Sequence, residues 1–114
     1  MVVVCLLAFT AMAHAEVAVP ALKARVTDLT GTLTAQQTQQ LEAQLAALEQ
    51  RKGAQIVVLM LPSTQPEDIA DYSTRVFDQW KLGRKKVDDG VLVVGAEDDH
   101  RAMIETGYGL EGAI

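Results

Sequence analysis

At 114 residues the chain holds one small domain at most, and its formal charge of −5 argues against nucleic-acid binding. The single cysteine, Cys5, rules out a disulfide framework. Because Cys5 lies in a stretch expected to be removed, thiolate metal sites and cysteine nucleophiles are excluded with it.

That stretch is the opening run MVVVCLLAFTAMAHA. Its apolar part covers about a dozen positions, too few to cross a bilayer, and it closes on Ala13-His14-Ala15, the small-x-small ending of a secretory signal peptide. Cleavage is expected after Ala15. No basic residues open the run, which puts the expected true start upstream of Met1, and Cys5 has no lipobox arrangement around it. All the formal charge therefore belongs to the mature part.

Residues 16–24, with Pro20, read as an extended lead-in. They deliver VTDLTGTLT, which differs from the phosphate-accepting Asp-Lys-Thr-Gly-Thr-Leu-Thr signature of ion-pumping ATPases by Leu29 in place of lysine. Such a site needs an apolar strand ahead of the aspartate, a second carboxylate for magnesium and a distant lysine. The preceding LKARVT is only half apolar, and the next positions run into a helix start. Asp28 is thus expected in a turn before that helix.

Thr34-Ala35-Gln36-Gln37 fits a capping box. Leu41, Leu45 and Leu48 follow at helical spacing, Arg51 and Lys52 suit the negative end of the helix dipole, and Gly53 stands where a helix stops. QIVVLML, from Gln55 to Leu61, reads as a strand buried on both faces, ended by Pro62. Pro66 fits the first turn of a second helix, with Ile69, Ser73, Val76, Phe77 and Trp80 as its inward stripe and Gly83 closing it. GVLVVGA, from Gly90 to Ala96, is a second buried strand. Beyond a polar turn at Glu97 to His100, Arg101 to Thr106 returns as its antiparallel partner, and Gly107 and Gly109 lead into the first turn of a third helix. Strand, helix and strand in this order predict a right-handed parallel crossover, so the architecture expected is a small mixed α/β layer.

The polar clusters carry plain readings and sharper ones. Asp88 and Asp89 before Gly90 suit a turn, or a pair of oxygen ligands for Ca²⁺ or Mg²⁺ without EF-hand spacing. Glu97, Asp98 and Asp99 read as a solvated hairpin tip, and His100 as a surface histidine. With His14 in the leader, one histidine is left, so a Ser-His-Asp hydrolase has little support. Arg84, Lys85 and Lys86 form a basic loop, solvated or open to an anionic headgroup. Glu105 and Glu111 flank the Gly107-Tyr108-Gly109 turn, where a helix start would bring Glu111 near Asp89.

Taken together, VTDLTGTLT, the Leu-rich helix, AQIVVLML, IADYSTRVFDQWKLG and VDDGVLVVGAEDDHRAMIETGYGLEG resemble the TPM domain, an α/β module with thylakoid-lumen and bacterial members. The resemblance runs from about Arg25 to Ile114, and DDGVLVV and IETGYGLEG are its most specific parts. It implies an α/β fold in which a small mixed β-sheet is flanked by helices on both faces. It also implies an acidic cleft at the strand ends, onto which Asp28, Asp89, Glu105 and Glu111 map, and it makes the ATPase likeness a coincidence. Some members are described as acid phosphatases and some as binding calcium. The family continues past GLEG with a further acidic residue, more helix and often a transmembrane span, so the chain reads as a fragment.

The expectation is an exported, periplasmic or extracellular module, tethered to the membrane in its full-length form, that binds Ca or Mg through Asp28, Asp88, Asp89, Glu105 and Glu111. Its expected partners are membrane or envelope proteins, and the domain itself is expected to be monomeric. The alternative is a metal-assisted acid phosphatase using the same cleft, although no phosphatase nucleophile is recognisable.

Overall fold

The computed structural model describes residues 16–82 and 89–107. A four-stranded sheet in the order β1-β2-β3-β4 is built from β1 (Val26–Asp28), β2 (Gln55–Leu61), β3 (Gly90–Ala96) and β4 (Arg101–Thr106). The first three strands are parallel and β4 is antiparallel to β3. Two helices, α1 (Ala35–Lys52) and α2 (Ile69–Trp80), make the parallel connections. This is a mixed α/β sheet with two helices.

Helix α1 starts and stops where its sequence dictates. The Thr34 hydroxyl accepts the Gln37 amide at 3.0 Å and the Gln37 side chain accepts the Thr34 amide at 2.9 Å, the reciprocal capping box. Gly53, at φ 78°, takes the left-handed position that ends the helix and donates its amide to the Glu49 carbonyl. Within α1 only Leu45 is buried, so its glutamine-rich faces stay in solvent.

The start of α2 differs from expectation. Pro66 lies before the helix, behind a cis Gln65–Pro66 peptide, and Asp68 is the N-cap, its carboxylate accepting the Ala70 amide. At the other end Lys81, at φ 51°, supplies the left-handed cap; Gly83 lies outside the described residues. The buried stripe is Ile69, Tyr72, Ser73, Val76 and Trp80, with Phe77 partly buried.

Neither central strand is buried on both faces along its length. On β2, Val57, Leu59 and Leu61 are buried while Ile56, Val58 and Met60 are only half covered. The buried set joins Leu92, Val94 and Ala96 of β3 and the α2 stripe in one core. A continuous apolar run is compatible with either arrangement, since periodicity cannot say which face is covered.

The lead-in is a strap lying against α2. Tyr72 donates its hydroxyl to the Ala18 carbonyl at 3.1 Å, Arg75 a guanidinium N–H to the Val17 carbonyl at 3.0 Å, and Trp80 its indole N–H to the Pro20 carbonyl at 2.8 Å. Val17 and Val19 pack on the core. The same Arg75 nitrogen donates to the Glu67 carboxylate at 2.7 Å.

Ser73 is fully buried and its hydroxyl has no hydrogen-bond partner among the described residues. An unsatisfied buried hydroxyl is a desolvation cost, and alanine is the better helix former. Ser73→Ala is therefore expected to leave stability unchanged or raise it by up to about 1 kcal/mol. Urea denaturation checks this, and a loss of stability would mean the hydroxyl has a partner.

Candidate functional site

The parallel register decides where the acidic residues fall. Asp28 pairs with Met60 and Met60 with Gly95, so Asp28 stands at the carboxyl end of the parallel strands. Asp89 immediately precedes β3, six positions before Gly95. At a rise of about 3.3 Å per residue the two aspartates are roughly 20 Å apart, at opposite ends of the sheet. The single acidic rim expected to hold both is divided. A residue that ends one parallel strand and a residue that precedes another cannot share an end of the sheet.

Asp28 ends the short strand β1 instead of lying within a turn, and its carboxylate is occupied. One oxygen accepts the Thr30 amide at 2.9 Å and the Thr30 hydroxyl, the other the Leu33 amide at 2.8 Å. Burial pushes the Asp28 carboxyl up, but the Thr30 hydroxyl and the amides of Leu33, Thr30 and Gly31 more than reverse this. Its pKa is held below the ordinary aspartate value. The chain bends through Gly31, at φ 72°, a position that favours glycine. Asp28 is thus a clasp on the turn into α1. From it a run of hydroxyls continues, Thr30 to Thr32 at 2.6 Å and Thr32 to the Glu97 carboxylate at 3.3 Å.

At the other end, Asp89 is 5% exposed and its carbonyl accepts the Gln55 amide, continuing the β2–β3 pairing. Glu105 lies on β4 opposite Leu92, on the α2 side of the sheet, and accepts a long hydrogen bond from the Thr74 hydroxyl at 3.4 Å. Gly107 closes the same end by donating to the Gly90 carbonyl. Asp88, Glu111 and the basic positions Arg84, Lys85 and Lys86 lie outside the described residues. Among the described residues no three His, Cys, Asp or Glu side chains are grouped to hold a metal ion, and no helix is long and apolar enough to cross a membrane.

Two acidic residues turn out to have roles that composition did not suggest. Asp99, read as part of a solvated tip, accepts the Ser63 hydroxyl at 2.9 Å and the Thr64 amide at 3.1 Å, fastening the β3–β4 turn to the end of β2. Glu42 of α1 accepts the amides of Val26 and Arg25 at 3.0 and 3.1 Å and pairs with the Arg25 guanidinium. Burial raises the Glu42 carboxyl, and the Arg25 side chain with those amides lowers it further, to a net value below normal.

A sequence profile of the TPM domain matches residues 26–114. Among solved structures, the N-terminal domain of a protein from P. gingivalis is 34% identical, with a TM-score of 0.70 over 76% of this chain and 55% of that one. The N-terminal domain of the cg2496 protein from Corynebacterium glutamicum is 16% identical, with a TM-score of 0.67, covering 80% of this chain and 58% of that one. The second likeness concerns the fold alone. The chain spans a little over half the length of either, and no curated protein matches it.

Proposed function

The chain belongs to the TPM domain family, and from that premise we propose that it is an exported binding module taking up a divalent cation at the amino-terminal mouth of β3. Asp89 carries the reading. It lies buried at a strand mouth and follows Asp88 in sequence, and carboxylate oxygens are the ligands that a hard cation takes. Glu105 on β4 and Glu111, four positions past Gly107, are the remaining candidate ligands, with Ca²⁺ or Mg²⁺ as the ion. Asp28 is left out of the set, because its oxygens already serve the turn into α1.

Binding is preferred to hydrolysis because no phosphatase nucleophile is recognisable, Asp28 included. A carboxylate held by two amides and a hydroxyl is a poor nucleophile, since each bond stabilises the charge that would have to attack. The signal-like opening and the family likeness support export and a place at the membrane among envelope proteins.

Titration calorimetry with Ca²⁺ and Mg²⁺ tests the proposal. Binding is expected for the parent and for Asp28→Asn, and at least tenfold weaker binding, on the order of 1.4 kcal/mol, for a folded Asp89→Asn variant. No heat with either ion removes the reading. Equal loss in both variants restores a shared rim, and metal-dependent release of phosphate from a chromogenic ester would favour the phosphatase instead.

A further inference from the structure

The sheet face turned away from α2 carries a cavity of about 330 Å³ at the carboxyl ends of β2 and β3, lined by Met60, Gly95, Ala96, Glu97, His100 and Ala102. Open α/β sheets place their ligands at such ends, and the volume is at the small end of the range for ligand pockets. The floor is Gly95. Among the described residues a Cβ built there would meet nothing within 4 Å, and Gly95 is not among the glycines with positive φ, so neither crowding by those residues nor backbone geometry requires glycine. A glycine inside a strand weakens it, and where the fold does not ask for one it marks a place kept clear for another molecule.

The rim supplies the sign of the charge. Glu97 opens the turn that follows β3, borders the cavity and is exposed. Its carboxylate accepts only the long bonds from Thr32, at 3.3 and 3.4 Å, and has no cationic partner among the described residues. Arg101 also borders the cavity, but its ladder partner Ala96 belongs to the core on the α2 side, so its side chain is directed to the other face.

We propose that this cavity binds a small organic cation, an ammonium group on an apolar body, with the body on Met60, Gly95 and Ala102 and the ammonium paired with Glu97. The proposal is independent of the cation site at Asp89, which lies at the opposite end of the sheet. Its test is an NMR titration of the ¹⁵N-labelled chain with phenethylammonium, and with 2-phenylethanol and phenylacetate as the uncharged and anionic counterparts.

Saturable shifts at the amides of Gly95, Glu97 and Ala102 are expected for the ammonium alone. Glu97→Gln should weaken its binding by about tenfold, the scale of a charge-assisted contact. Gly95→Leu should abolish binding while the thermal midpoint stays level or rises, since a Cβ has free space there and the larger side chain projects into the cavity between Met60 and Ala102. Shifts that do not saturate, equal binding of phenylacetate, or unimpaired binding by Gly95→Leu would each overturn the proposal.

Discussion

Tyr72→Ala is expected to lose about 4 kcal/mol of stability, the scale for removing a buried aromatic ring, and Tyr72→Phe about 1 kcal/mol. The ring is fully buried among Leu59, Leu61, Val76 and Leu92, so its removal opens a cavity at the centre of the core. The hydroxyl lies at the rim of that core, bonded to the Ala18 carbonyl, and Arg75 sits 5.4 Å from the ring centroid. Small domains have total stabilities of about 5–15 kcal/mol, so the alanine variant approaches unfolding while the phenylalanine variant stays folded with a loosened strap. Urea denaturation measures both losses, and limited proteolysis should cut the phenylalanine variant first within residues 16–24. Equal losses for the two would place the energy in the hydroxyl instead of the ring.

Asp28→Ala ranks second, at about 2–3 kcal/mol, because it leaves the Thr30 and Leu33 amides without their acceptor at the turn that launches α1. Asp28→Asn keeps one acceptor oxygen and should lose roughly half as much. The effect depends on pH with a fixed sign. Since the folded-state pKa lies below the unfolded value, the stabilisation is complete above about pH 4 and disappears as pH falls through the folded value. The gap between parent and Asp28→Asn should therefore close in acid. Chemical denaturation at neutral pH and at about pH 3 gives both numbers. An alanine variant within about 0.5 kcal/mol of the parent at neutral pH would show that the turn does not depend on the carboxylate.

Local signals in the sequence carry most of the fold. Thr34 and Gln37 announce the start of α1 and Gly53 its end, because capping depends only on neighbouring residues. The α2 stripe is legible at its 3.6-residue period, although Tyr72, the largest fully buried side chain, hides behind its hydroxyl. Strand β1 is not legible: three residues with one buried valine leave no period to detect, and its pairing with β2 is a tertiary fact. Asp28 shows the limit for sites. Its residue type suits a ligand, a nucleophile or a turn equally, and only the position of the Thr30 and Leu33 amides decides among them. Gly95 is the opposite case, a glycine that looked like part of an ordinary strand until the space above it could be seen.

The grip of Glu42 on the start of β1 bears on how copies of this chain can associate. The Arg25 carbonyl faces β2, so the Val26 amide faces outward, and Glu42 takes that donor before a neighbouring molecule can. Among the described residues β4 is the other edge of the sheet, and two copies joined β4 to β4 would use up the same edge on both. Such an encounter closes on itself as a pair, whereas growth of a filament needs two usable edges on every subunit.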